Sequence, residues 1–254
     1  MRYHAPRYLF RRHEILRRVR AGRSFIEVGA ANLALTRDLL NRFDSGLAID
    51  FTDDLKQSYA LLDPALQSRL EISNVDFLKA PISGKYDCVV ACEVLEHVED
   101  DAEFLRRARA LLRPRGQMVI SVPAKEKYWT VHDELVGHLR RYENAQIIAL
   151  ARDSGFDDIT VTAYGYPWIN LLSHLRVMLA RRTLADRKNW DQQQQTSMSN
   201  HRQIPAWLSQ SLVPVFLNRF AIYPFALISR LFNKLDLSDG YVVTMRRSDE
   251  SSGN

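Results

Sequence analysis

The sequence predicts an α/β fold: a mostly parallel, seven-stranded sheet with helices on both faces and a helical insertion before the last strand. Three observations predict it. From Ser24 onward, short apolar runs alternate with stretches whose apolar residues recur every three or four positions, as strands and crossover helices do. Such regular alternation builds a parallel sheet covered on both sides. Roughly 75 residues separate the last two predicted strands, far beyond the short connections of a compact α/β domain, so an extra substructure has to sit there.

In chain order, residues 1–23 come first. Tyr8, Leu9, Ile15, Leu16 and Val19 recur at helical spacing, which predicts an amphipathic helix acting as a lid or adaptor in front of the first strand. The same segment concentrates positive charge in Arg7, Arg11, Arg12, Arg17, Arg18, Arg20 and Arg23. That face suits phosphate groups of lipid, nucleic acid or substrate, and equally suits plain solvent.

A core follows over 24–165. Its strands are predicted at 24–28, 46–50, 70–75, 86–91 and 117–122, with helices at 33–43, 53–62 and 102–112 between them. Pro114, Arg115 and Gly116 read as the turn into the fifth strand. A helix from Asn144 to near Gly155 and a strand at 159–163 complete the first six strands. The insertion, 166–237, holds a helix-like stretch at 168–184, a polar segment around Gln192 to Gln195, and an apolar stretch at 207–235 broken by Pro214 and Pro224. The last strand lies within 238–247, and 248–254 form a tail.

The bulk composition narrows the function classes. With 254 residues, 46% hydrophobic and 26% charged, the chain can bury one substantial core with an appended lobe. The arginine-crowded N-terminus never opens into the apolar run of a secretory signal, so the expected location is the cytoplasm. Cys88 and Cys92 lie in one predicted strand on the same side, poorly placed to bridge, and are read as reduced. The apolar run from Phe220 to Ile228, between Arg219 and Arg230, is far short of the ~20 residues that cross a bilayer. It fits the core of a helical cap, a greasy acceptor pocket, a dimer contact or a face lying peripherally on a membrane. The oligomeric state is left open.

Three consecutive strand ends carry residues suited to one ligand. Phe25-Ile26-Glu27-Val28-Gly29 is a strand ending in glycine, after which a helix opens, so backbone N–H groups can approach a ligand closely. Asp50 ends the second strand, where an acid accepts from both hydroxyls of a ribose and disfavours a 2′-phosphate. Asp76 and Phe77 follow the third strand, where a carboxylate can take the exocyclic amine of adenine and a ring can cover its face. An unphosphorylated adenosine-type nucleoside is the expected ligand.

These runs, together with Tyr86-Asp87-Cys88-Val89-Val90-Ala91-Cys92-Glu93-Val94-Leu95-Glu96-His97-Val98 and Leu111-Leu112-Arg113-Pro114-Arg115-Gly116, resemble the ordered motifs of class I S-adenosylmethionine (SAM)-dependent methyltransferases. The resemblance is to the branch that includes the ubiquinone-pathway methyltransferases, and it covers about residues 24 to 165. It implies a Rossmann-like methyltransferase fold, with SAM held by Glu27, Gly29, Asp50, Phe51, Asp76, Phe77 and Cys92. One departure stands out: Ala31 and Leu33 occupy positions where the family usually has glycine.

Methyl transfer from a sulfonium is an in-line displacement, so the protein must align the acceptor and, for a hydroxyl, remove a proton. His97, directly after the fourth strand, is a candidate base or acceptor-orienting group, or a histidine that packs the turn. Glu93, Glu96 and His97 resemble the Glu-x-x-Glu-His series through which some methyltransferases hold a divalent metal, with His132 or His138 as a further donor. The segment from Val131 to Tyr142 resembles a Gly-His-x-Arg-Arg-Tyr stretch of bacterial methyltransferases. It offers His132 and His138 as bases, and Arg140, Arg141 and Tyr142 as acceptor contacts, or else a solvated helix start. The function expected is methyl transfer to oxygen of a small-molecule, lipid or lipid-linked saccharide acceptor. The competing readings are an RNA methyltransferase and a non-catalytic adaptor with a SAM-binding fold.

Overall fold

The computed structural model describes residues 5–173 and 221–248. Helix α1 (Pro6–Arg18) precedes β1 (Gly22–Val28), and the alternation continues through α2 (Ala34–Leu39), β2 (Phe43–Asp50), α3 (Asp54–Ala60), α4 (Pro64–Gln67) and β3 (Leu70–Asn74). The second half runs β4 (Tyr86–Cys92), α5 (Asp101–Leu111), β5 (Leu112–Pro123), α6 (Val131–Val136), α7 (Asn144–Asp153), β6 (Phe156–Ala163), α8 (Tyr223–Arg230) and β7 (Gly240–Arg247).

The seven strands form one sheet in the order β3-β2-β1-β4-β5-β7-β6. All neighbours pair in parallel except β7, which runs antiparallel to both β5 and β6. The expected fold class is therefore the fold observed. The strand order reverses between β1 and β4, so a crevice opens beyond their C-terminal ends, where ligands of open α/β sheets bind.

The residues between the polar positions of each strand build two apolar layers. On one face Phe104, Leu105 and Ala108 of α5 and Ile147 and Ala151 of α7 pack on Val89, Met118 and Ile120. On the other, Leu9, Phe10 and Ile15 of α1, Leu39 of α2 and Leu55 of α3 pack on Phe25, Val90 and Val119. Burial on both faces explains why the central strands read as near-continuous apolar runs.

Two local expectations shift. β2 begins at Phe43, within the predicted first crossover helix, because α2 ends early. The predicted turn at Pro114 to Gly116 lies inside the span of β5, as a register shift against Tyr86 and Cys88 with Arg115 at φ 58°. The chain kinks there without leaving the sheet.

In the expected insertion, residues 168–173 are helical and α8 follows at Tyr223. The polar segment near Gln192 and the start of the apolar stretch at Trp207 lie outside the described residues. Within α8 only Ala226 and Ser229 are buried, while Tyr223, Phe225, Leu227 and Ile228 are exposed. Among the described residues no helix is long and apolar enough to cross a membrane.

Candidate active site

A cavity of about 1170 Å³ opens beyond the ends of β1, β2, β3 and β4, roofed by α1 and bordered by the segment leading out of α6. It exceeds the roughly 300–1,000 Å³ usual for one small-molecule site, leaving room for two ligands side by side.

The turn after β1 is glycine-like in conformation despite its composition. Gly29 has φ 76°, and a Cβ there would lie 2.5 Å from Val94 Cγ2. Ala31 and Leu33 sit at φ 38° and 55°, in the left-handed region that glycine favours. The backbone thus keeps the shape while carrying strain, and Leu33 uses its bulk to fill the core. The N–H of Ala31 donates to Asp50 Oδ2 at 2.9 Å. Oδ1 of Asp50 accepts from the N–H and hydroxyl of Thr52 at 2.8 and 2.6 Å. The carboxylate that ends β2 is thereby locked in one orientation, with acceptor capacity remaining on its oxygens.

Glu27 is buried under the same turn and accepts from Thr36 Oγ1 at 2.5 Å. Burial raises its carboxyl to about 8, a shift the Thr36 hydroxyl opposes. A ligand cation placed beside it would relieve that cost. Phe77 is buried against Phe104, ring centroids 4.9 Å apart, while Phe51 exposes 44% of its surface at the cavity wall. Asp76 is half-exposed and pairs with Lys79 at 3.1 Å. Cys92 also lines the cavity, its thiol pushed up to about 12 by burial. The residues expected to hold SAM are all cavity-lining, and they supply the backbone cradle, carboxylates and aromatic rings that such a cofactor needs.

α1 adds residues that the sequence reading did not assign to the site. Arg7, Tyr8, Arg11 and Ile15 share one helical face and line the cavity. Arg7 pairs with Asp239 at 2.7 Å and Glu93 at 3.6 Å; Arg11 pairs with Glu93 at 3.3 Å and lies over the Tyr8 ring. Arg12 forms a two-pronged pair with Asp38. Arg17, Arg20 and Arg23 stay exposed, whereas Arg7 and Arg11 face inward to acids. Their shared face at i, i+4 spacing was the available signal.

Glu93, at φ 55° just past β4, also accepts from Ser121 Oγ at 3.1 Å. Burial pushes its carboxyl up, but Arg11 and Arg7 pull it down to about 2. Of the metal set implied by the Glu-x-x-Glu-His resemblance, Glu93 is thus engaged by the arginines. Donor atoms of Glu96, His97 and His138 do come within 4.8 Å of one another. Glu96 is fully buried, and burial followed by its neighbour Glu93 raises its carboxyl well above the ordinary range.

The segment after β5 is internally wired. Thr130 and Asp133 form a capping box at the start of α6, and Gly137, at φ 76°, ends the helix. His138 Nδ1 lies 2.8 Å from Asp133 Oδ1, and His138 Nε2 lies 3.7 Å from Glu96 Oε1. His97 Nδ1 contacts the Gly137 carbonyl at 3.0 Å, and its ring meets that of His138 edge-on. Burial lowers the His97 imidazole to about 4, helped by His138. His97, His132 and His138 all line the cavity.

Arg140, Arg141 and Tyr142, expected as acceptor contacts, are engaged within the protein. Arg140 donates to Asp101 at 2.8 Å and to the Glu99 carbonyl. Arg141 is buried and donates to both oxygens of Asp133 and to the Ala124 carbonyl. Tyr142 is buried and its hydroxyl bonds Asp101 and the Leu95 carbonyl. Of the three, Arg141 alone borders the cavity.

Comparison with known proteins shows the family and the fold. A family model described as a methyltransferase domain matches residues 1–161. The ubiquinone biosynthesis O-methyltransferase of Xanthomonas axonopodis pv. citri is 27% identical over 180 residues, which is 64% of this chain and 73% of that protein. The mitochondrial counterpart of Schizosaccharomyces pombe is 28% identical over 104 residues, 40% of this chain and 38% of that one. Among solved structures, a chain of the Haloferax volcanii complex with the Trm112 methyltransferase activator aligns with a TM-score of 0.59 at 16% identity, covering 95% of this chain and 90% of that one. Phosphoethanolamine N-methyltransferase 2 of Haemonchus contortus, solved with SAM, aligns at 0.52 and 14% identity, covering 94% and 52%. The [4+2]-cyclase SpnF aligns at 0.54 and 14% identity, covering 96% and 80%. Likeness at these identities shows the fold, and the cyclase illustrates that the fold alone does not fix the reaction.

Proposed function

The chain belongs to the methyltransferase-domain family of SAM-dependent enzymes, and from that premise we propose that it methylates a hydroxyl of a small-molecule or lipid-like acceptor, with His138 as the base. The observation that carries the reading is the 2.8 Å contact of His138 Nδ1 with Asp133, in the wall of the cavity whose far end fits a nucleoside.

SAM supplies an electrophilic methyl on a sulfonium. The protein's part is to hold it and to orient and deprotonate the acceptor. Asp50 would take the ribose hydroxyls, Asp76 and the rings of Phe51 and Phe77 the adenine, and Glu27 with the Gly29 backbone the methionine amine. Arg11 has one acidic partner among the described residues and faces the same end, which suits the methionine carboxylate. An imidazole backed by a carboxylate is held in the orientation and tautomer that general-base chemistry needs. The hydroxyl acceptor is also in line with the relatives named as O-methyltransferases.

The test is transfer of labelled methyl from SAM into pooled small-molecule and lipid extracts, followed by identification of the labelled product. The reading expects label on oxygen, and a loss of about 10²-fold or more in His138→Gln at unchanged SAM affinity. Label on RNA alone, or full activity in His138→Gln, would overturn it. Loss of activity in chelator with recovery on added magnesium would transfer Glu96, His97 and His138 from acid–base work to holding a cation.

A further inference from the structure

We propose that Arg141 and Asp133 are positioning residues that fix the tautomer of His138, so that Nδ1 carries the proton and Nε2, 3.7 Å from Glu96 Oε1, keeps its lone pair. The proposal rests on the reading of His138 as base and deepens it. It also gives the two residues a joint role that neither has as an acceptor contact.

The geometry is closed on three sides. Asp133 is fully buried, and each of its oxygens has a defined set of donors. Oδ1 takes His138 Nδ1 at 2.8 Å and Arg141 Nε at 3.0 Å. Oδ2 takes Arg141 Nη2 at 2.9 Å, the Thr130 N–H at 2.8 Å and the Thr130 hydroxyl at 3.0 Å. The carboxylate cannot turn without breaking several bonds at once. As an ionised acceptor it has no proton to give, so the nitrogen facing it is the one that bears hydrogen.

Arg141 extends the hold to the sheet. Its Nη1 donates to the Ala124 carbonyl at 3.1 Å, directly past the end of β5, and lies 3.5 Å from the Asp239 carbonyl, directly before β7. The backbone ties the imidazole from the other side, since the His138 N–H donates to the Asp133 carbonyl at 2.9 Å. Asp133, His138 and Arg141 are thus one unit spaced over nine residues, anchored just past β5 and just before β7. Arg140, one position away, points to Asp101 and takes no part.

The experiment needs no acceptor. In protein labelled with ¹⁵N-histidine and saturated with S-adenosylhomocysteine, long-range ¹H–¹⁵N spectra report the tautomer of each ring, and His138→Gln identifies the relevant signals. The wild-type ring should be protonated at Nδ1. Asp133→Asn, whose amide can donate, should move the proton to Nε2. Arg141→Met should populate both forms, Arg141→Lys should restore the wild-type form, and Arg140→Met should leave it unchanged. Calorimetry with S-adenosylhomocysteine verifies that each variant is folded. A wild-type ring protonated at Nε2, or a tautomer unmoved in Asp133→Asn, would overturn the proposal. If Asp133→Asn does not fold, the wild-type and Arg141 spectra decide. Because the tautomer is read without turnover, failure of the base reading would show separately, as full methyl transfer in His138→Gln. Once an acceptor is in hand, Asp133→Asn should lower kcat by about 10²-fold or more with the KM for SAM unchanged.

Discussion

At the ends of β1, β2 and β3 the functional groups arrive one per strand, each fixed by near neighbours: Gly29 by its φ, Asp50 by Ala31 and Thr52, Asp76 by its own loop. Across the cavity, in the segment from Thr130 to Tyr142, Asp133 is shared by Thr130, His138 and Arg141 while Arg140 reaches out to Asp101. The first region turns its candidate groups toward the cavity; in the second, Thr130 and Arg141 hold Asp133 against one imidazole. Substitutions at the cofactor end should therefore act mainly on binding, and those at the acceptor end on stability and chemistry together.

The largest expected effect is at the acceptor end. Arg141→Met strands the buried Asp133 carboxylate, whose acidity burial opposes and His138 and Arg141 enhance, and should cost about 3–5 kcal/mol in urea unfolding. A loss below about 1 kcal/mol would show that the network is hydrated and the contrast false. At the cofactor end, Gly29→Ala meets Val94 at 2.5 Å with φ at 76°, and about 2–4 kcal/mol of destabilisation follows from strain and overpacking. This glycine is the exception that tests the division, since it serves shape and binding at once.

A smaller effect of opposite sign is expected two residues on. Ala31→Gly removes a left-handed strain but frees the unfolded chain, for a net gain of about 1 kcal/mol in the same assay. Leu33→Gly, by contrast, should destabilise, because Leu33 is fully buried. The smallest signal is a proton. The Glu27 carboxyl, raised to about 8 by burial, favours the folded ligand-free protein below its ordinary range near 4.5, and that contribution is lost as pH rises through 8. A ligand ammonium beside it would favour ionisation. Titration with SAM near pH 7 in buffers of different ionisation enthalpy should then show release of a fraction of one proton, and proton uptake would contradict the placement of Glu27.

The two regions also differ in how far the sequence exposes them. Gly29 and Asp50 could be read singly because each sits at a strand end, where topology assigns the role. The central strands were legible because burial on both faces makes them stand out as apolar runs. The early start of β2 and the kink at Arg115 were not, because backbone conformation and pairing register leave little trace in apolar periodicity. Arg140 and Arg141 have the same residue type and adjacent positions, yet one binds Asp101 and the other Asp133. Partner choice across 39 residues in one case and 8 in the other is a tertiary fact that local spacing does not carry. Arg7 and Arg11 share a face at i, i+4 spacing, but a helix with arginines on several faces does not declare which face turns inward.

If three strand ends hold one SAM molecule, calorimetry with S-adenosylhomocysteine on the wild type and Asp50→Ala shows it most directly. Saturable binding to the wild type is expected, with a loss of about 1.5–3 kcal/mol, roughly 10- to 150-fold in Kd, in the variant, its fold intact. Absence of wild-type binding at millimolar ligand, or equal affinity in Asp50→Ala, would contradict it.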